Sequence, residues 1–166
     1  MRVKCADCGE EHDLSEGEIG YSLPDAFFAL SEGERKARGW ADPDLCQVEN
    51  RHFIRGALML PVRGESREFA WGVWAEVGQT SFDRYRELYS DPAQAAEPPF
   101  GGRLANELPG YPSTIGLEVE VRLVSAAERP HFRVIPIHPL EAEQREGIPL
   151  ERVLELMSPF IHSAGT

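Results

Sequence analysis

Phe53 to Val62 reads FIRGALMLPV, Glu68 to Val77 reads EFAWGVWAEV, and Arg63-Gly64-Glu65-Ser66 stands between them. Both runs are rich in β-branched and aromatic residues, and the glycine-bearing segment has turn chemistry, so the stretch predicts two antiparallel strands joined by a hairpin. Alternation sorts the second run into two faces: Phe69, Trp71, Val73 and Val77 on one, Ala70, Gly72, Trp74 and Glu76 on the other. Trp74 therefore points away from the apolar set. With Gly56 near Gly72 across the hairpin, two missing side chains would leave a groove beside the indole. A covering helix packed on Trp74 is the commoner arrangement. Arg55 lies inside the first apolar run and would need a carboxylate partner if buried.

Outward from the hairpin, Cys46 to Val48 reads as a preceding strand. Leu117, Val119, Val121 and Leu123 alternate with Glu118, Glu120 and Arg122, the pattern of a half-buried strand, and Pro130 to Ile137 makes another. Ser31 with Glu34 is a capping-box pattern for a charged helix over 32–39. Thr80-Ser81 can cap a helix over 81–89, where Phe82, Tyr85, Leu88 and Tyr89 keep helical spacing and read as core. Asp91 to Pro99 reads as a surface loop. His138-Pro139 opens a helical run that Gly147 stops after Glu146, and Pro149 begins a final helix packing Leu150, Val153, Leu154 and Met157. The sum is an α+β chain: one domain over 1–166 with a mainly antiparallel sheet, short flanking helices and an N-terminal Cys-x-x-Cys knuckle. A 1–45 subregion packs on a 46–166 core.

All three cysteines fall into one pattern with a histidine. Cys5-x-x-Cys8-Gly9 can point two sulfurs at one ion, Gly9 tolerating the positive φ that turns amides toward them, and His12 and Cys46 complete a tetrahedral set suited to structural zinc. His52 is a substitute for His12. Asp7, Glu10, Glu11 and Asp13 crowd the thiols with negative charge, which argues against a redox pair, since that chemistry wants a depressed thiol pKa. A closed site would couple metal binding to folding.

Seventeen Lys and Arg against 28 Asp and Glu give a formal charge of −11, which disfavours nucleic acid and anionic membrane surfaces as partners. No run of about 18 apolar residues and no cleavable leader is present. An odd number of cysteines suits a reducing compartment, so the cytoplasm is the expected location.

Several motifs in order carry a family resemblance: Cys5-x-x-Cys8-Gly9-Glu10-x-His12, Asp44-Leu-Cys46, Phe53-Ile-Arg55-Gly56 and Phe69-Ala-Trp71-Gly-Val-Trp74. It continues through Asn106-Glu-Leu-Pro-Gly-Tyr111-Pro112 and His138-Pro-Leu-Glu-Ala-Glu-Gln144-Arg-Glu-Gly147. Together these resemble the bacterial domain-of-unknown-function family 2199. The resemblance implies no activity. The family pattern includes the positions matching Cys5, Cys8, His12 and Cys46, which supports treating them as one constellation. Pro149 departs from the capping Ser or Thr expected there.

No catalytic constellation stands out. Ser81 and Ser113 lack a nucleophile-elbow context, and Gly101-Gly102 lacks the spacing and the Lys of a phosphate-binding loop. His138 with Glu141, Glu143, Arg55 and Arg129 would serve acid–base work if they converged, although a histidine before proline at such a junction more often bonds backbone groups. The reading is a zinc-stabilised, noncatalytic binding or interaction domain for a protein or small molecule. Arg55, Trp74 and His138 are its candidate ligand-binding residues. A small metal-dependent or acid–base enzyme is the alternative. Homo-oligomerisation through a strand edge or the surface around Trp74 is a further expectation.

Overall fold

The chain, described by a computed structural model over residues 2–5, 8–13 and 18–163, begins with a hairpin of β1 (Arg2–Lys4) and β2 (Glu11–Asp13). For Val3, His12, Asp13, His162 and Ser163 only the backbone is described. Next come β3 (Glu18–Gly20), helices α1 (Asp25–Phe28) and α2 (Glu32–Arg38), and strands β4 (Gly39–Ala41), β5 (Leu45–Val48), β6 (Arg51–Pro61) and β7 (Glu68–Val77). Helix α3 (Gln79–Leu88) leads through a 3-10 turn at Gln94–Ala96 into β8 (Phe100–Leu104), β9 (Glu118–Arg122) and β10 (His131–Val134). Helices α4 (Pro139–Glu146) and α5 (Leu150–Ser163) follow. The fold is α+β, as predicted, and its sheet is largely antiparallel.

Strands β6 to β10 pair in chain order, every step antiparallel, and β10 then returns to β6. Four antiparallel steps leave the fifth strand running with the first, so closure of this barrel requires a parallel seam, and the β10–β6 pairing is parallel. The seam is brief: His131 stands opposite Ala57, and the Ala57 amide donates to the Pro130 carbonyl at 2.8 Å. Both hairpin strands are long enough to serve two neighbours along one edge. β7 takes β3 at Ala70–Gly72 and β8 at Ala75 and Glu76, while β6 takes β5 at Arg51–Ile54 and β10 at Ala57.

The two faces of β7 feed two apolar clusters. Phe69, Trp71, Val73, Ala75 and Val77 join Leu58 and Leu60 of β6, Val119 and Val121 of β9 and Phe132 of β10 in the larger one. Phe82 and Tyr85 of α3, Leu140 of α4 and Val153 of α5 join the same cluster. Trp74 faces the smaller cluster with Phe27, Cys46, Val48, Phe53 and Ala105. At about 25 cal/mol per Å² of apolar area, each fully buried large side chain stabilises by about 2–3 kcal/mol.

Three details differ from the sequence reading. In register, Gly56 faces Val73 and Ala57 faces Gly72, so the two glycines are offset by one residue. A Cβ on Gly56 would lie 2.4 Å from the Phe132 ring, and one on Gly72 would lie 3.1 Å from the Gly20 backbone. Both glycines mark close approaches of other elements, not open space. Helix α3 starts two residues early, with Gly78 as an extended N-cap whose carbonyl accepts from Phe82, leaving Thr80 and Ser81 inside the first turn. The sequence pattern predicts no strand at β8: its Gly101-Gly102 pair hides the alternation, and Gly102 is needed where a Cβ would press on the Glu76 carbonyl at 3.2 Å.

Local chemistry elsewhere matches. Ser31 Oγ accepts from the Glu34 amide and Glu34 returns the bond, both at 3.2 Å, and no residue of α2 is buried. Gly147 ends α4 with φ +81, where a side chain would be strained. Among the described residues no helix is long and apolar enough to cross a membrane.

Candidate functional site

Cys5 and Cys8 lie together at the N-terminal turn. The Cys5 amide donates to Glu10 O at 2.8 Å, the Gly9 amide to Cys5 O at 2.9 Å, and Gly9 takes φ +73, as the knuckle reading required. Cys5 is buried in the larger cluster and Cys8 is exposed. Two of the other proposed ligands pack elsewhere. Cys46 is fully enclosed in the smaller cluster beside Trp74, and burial pushes its thiol up to about 12. His52 is buried against the Phe82 ring, centroids 4.9 Å apart. The side chain of His12 lies outside the described residues. Among the described residues no group of three or more His, Cys, Asp or Glu is gathered for a metal.

Trp74 is 0% exposed, and its indole N–H donates to Tyr21 O at 2.9 Å. No groove opens beside it: α1 covers that face with Phe27, the arrangement the sequence reading favours over a groove. His138 is the N-cap of α4, its Nδ1 accepting from the Leu140 amide at 3.1 Å, the backbone role weighed against catalysis. The acid–base group does not converge. Glu141 pairs with Arg145, Glu143 with Arg152 and the Tyr111 hydroxyl, and Arg129 with Asp44.

The Arg129–Asp44 pair is the centre of a cluster built from four parts of the chain. Asp42 Oδ1 accepts from the Asp44 and Leu45 amides at 2.8 and 2.7 Å, a side-chain turn that aims Asp44 at the start of β5. Asp44 then accepts from Arg129 Nε at 2.8 Å on Oδ1 and from the Tyr89 hydroxyl at 2.5 Å on Oδ2. Beneath the loop, Arg55 of β6 donates to Pro43 O at 3.3 Å, and its buried Nε has no hydrogen-bond partner among the described residues. Tyr89 follows α3, where the helical stripe was read as core; Phe82 and Tyr85 are core, but Tyr89 is 42% exposed. Two cavities flank it. One of about 360 Å³ is lined by Asp44, Tyr85, Tyr89, Ser125, Arg129 and the exposed Glu128. The other, about 380 Å³, is lined by Asp42, Asp44, Arg86 and Tyr89.

Ionisation in the cluster is fixed away from neutrality. Burial pushes the Asp44 carboxyl up, but hydrogen bonds from Tyr89 and Arg129 and the charges of Arg129 and Arg55 outweigh it and hold it low. The bond to Asp44, then burial, raises Tyr89, and burial followed by the Asp44 charge raises Tyr85. Burial and the neighbouring Arg129 lower Arg55. Asp44 is thus an anion with both oxygens engaged, and the phenols stay protonated. These are poor general bases.

A second polar network is complete in itself. Asn106, 1% exposed, accepts from the Trp74 amide at 2.8 Å and donates to Leu23 O and Asp25 Oδ1 at 3.0 and 2.9 Å. Thr114 Oγ1 donates to Asn106 O and accepts from the Leu108 amide, and the Glu107 carboxylate takes the Ser113 hydroxyl and the Thr114 amide.

The chain matches, over residues 4–148, the family described as "Uncharacterized protein conserved in bacteria (DUF2199)", and it belongs to that family. No curated protein and no solved structure matches it.

Proposed function

We propose that this family member is a noncatalytic binding domain whose ligand site is the cleft around Asp44, Tyr89 and Arg129. The observation that carries the reading is the hydrogen-bond state of the cluster. Each oxygen of the half-buried Asp44 carboxylate already accepts a bond, from Tyr89 or from Arg129, whereas among the described residues the Arg129 terminal nitrogens and Arg55 Nε have no hydrogen-bond partner. An enzyme needs a group that can exchange a proton near its working pH. Here every resolved shift carries Asp44, Tyr85 and Tyr89 further from neutrality. A cleft whose central carboxylate and two phenols keep one charge state around neutrality favours recognition over turnover.

The test is a screen of chemically diverse small molecules by protein-observed NMR. Hits are expected to move the amides of Asp44, Tyr89 and Arg129, to lose affinity in Arg129→Gln, and to be recovered unchanged after incubation. Chemical conversion of a hit, abolished by Arg129→Gln, would replace this reading with the enzyme alternative.

A metal contribution to stability is supported by one observation, the Cys5–Gly9 turn with its paired thiols and positive-φ glycine. In this reading Cys5 and Cys8 supply two ligands, and Cys46 supplies none because it packs in the other cluster. Elemental analysis of protein purified without chelator is expected to give about one zinc per chain. That zinc should be lost in Cys8→Ser and kept in Cys46→Ala. No zinc in freshly reduced protein would end it.

A further inference from the structure

We infer that the 360 Å³ cavity between α3 and the Ser125–Arg129 turn takes a small oxyanion, a carboxylate or phosphate group, held by Arg129, Tyr85 and Ser125. The inference rests on the binding reading above and names the chemistry of its ligand.

Arg129 spends only Nε on Asp44; its two terminal nitrogens make no hydrogen bond among the described residues. A guanidinium offers five donors in a planar fork, and the free end of that fork matches the two oxygens of a carboxylate or phosphate. Tyr85 is 3% exposed as a residue, yet it lines the cavity, makes no hydrogen bond among the described residues, and its oxygen is not one of the buried orphans. Its hydroxyl therefore opens to the cavity as a donor. Ser125 Oγ already accepts from the Ala127 amide at 3.2 Å, which leaves its O–H to give.

Against these donors stand two carboxylates in the lining, Asp44, each of whose oxygens already accepts a bond, and the exposed Glu128. A ligand that brings acceptors completes three groups at once. Arg55, close enough to Arg129 for the two charges to act on one another, adds positive charge that Asp44 and Glu18 partly balance. Glu128 opposes an anion, but its side chain is exposed and so largely screened by water. The Tyr85 and Tyr89 rings, edge to face at 5.8 Å, give an aromatic body attached to the oxyanion a surface to lie on.

The test uses benzoate, phenyl phosphate and inorganic phosphate beside neutral benzamide and cationic benzylamine, with amide shifts of Tyr89 and residues 125–129 as the readout. The oxyanions are expected to shift these amides saturably, the two aromatic ones more tightly than inorganic phosphate. Tyr85→Phe, which leaves the Asp44 contacts intact, should weaken them about tenfold. Arg129→Lys, which keeps the charge but loses the fork, should do the same. Glu128→Gln should tighten them. Benzamide or benzylamine shifting the same amides as strongly as benzoate would overturn the oxyanion inference and leave the binding reading standing. If no probe moves those amides while the diverse screen finds other hits there, the inference falls alone. If neither does, both fall.

Discussion

The Asn106 network and the Asp44 cluster use the same kinds of atoms and end in opposite conditions. Around Asn106 the side chain's carbonyl and amide, the Thr114 hydroxyl and the neighbouring backbone groups have partners within the protein, and two of the members are at most 1% exposed. Around Asp44 each carboxylate oxygen accepts one bond, donors are left over, and two cavities adjoin. A buried network that closes on itself is scaffold, because its members have no capacity left for anything else. A network that stops short at a cavity leaves its remaining valence to a ligand. The difference is one of completeness, not composition, and it can be broken from either side.

The largest effect should come from the closed network. Asn106→Ala would orphan the Trp74 amide and the Leu23 carbonyl and is expected to cost about 3 kcal/mol in urea unfolding while leaving the Asp44 cleft shifts in place. A smaller loss would mean that water or backbone adjustment replaces the amide. Gly56→Ala should follow at about 2 kcal/mol, since its Cβ would press into the Phe132 ring and the Pro130 carbonyl, and a crystal structure would show that ring displaced. Unchanged stability would refute the tight packing at that point.

Asp44→Asn should cost less, about 1 kcal/mol at pH 7, because Tyr89 and Arg129 are both partly exposed. Asp44 titrates below its ordinary value in the folded chain, so its contribution is present above the unfolded value of about 4 and is lost as pH falls through the folded one. The gap between wild type and Asp44→Asn should therefore narrow below about pH 4 and vanish further down. A gap that stayed constant with pH would mean Asp44 is not held ionised by its partners. Tyr85→Phe is expected to change stability least, by under about 0.5 kcal/mol, because the hydroxyl it removes has no partner to orphan. A large loss there would make Tyr85 part of the scaffold and not of the cleft.

What the sequence made legible follows the range of the interactions. β7 appears at the predicted residues, and the capping box, the Gly147 stop and the two faces around Trp74 are all present, because each depends on neighbours in the chain. Closure of the barrel was not legible, since it rests on an Ala57–Pro130 contact that no local pattern announces. β8 escaped for another reason: its two glycines carry no alternation. The site divides the same way. Asp44 and Arg55 lie in the family motifs, and the sequence sets Arg129 beside His138 and the α4 glutamates instead. The partners that matter lie 45 and 85 residues from Asp44 and declare themselves only in space. Tyr89 kept a core-like spacing and so was counted among apolar residues, though its hydroxyl is the part in use.

The odd number of barrel strands has a kinetic meaning as well. The β6–β7 hairpin is a short loop closure that can form early, whereas the parallel seam joins residues more than seventy positions apart through a single facing pair. Its loop entropy is met only after the intervening strands are in place, so the seam should zip last and open first. Weakening it then speeds escape from the native state far more than it slows arrival, and the barrel's lifetime is set at the place where its order around the ring changes direction.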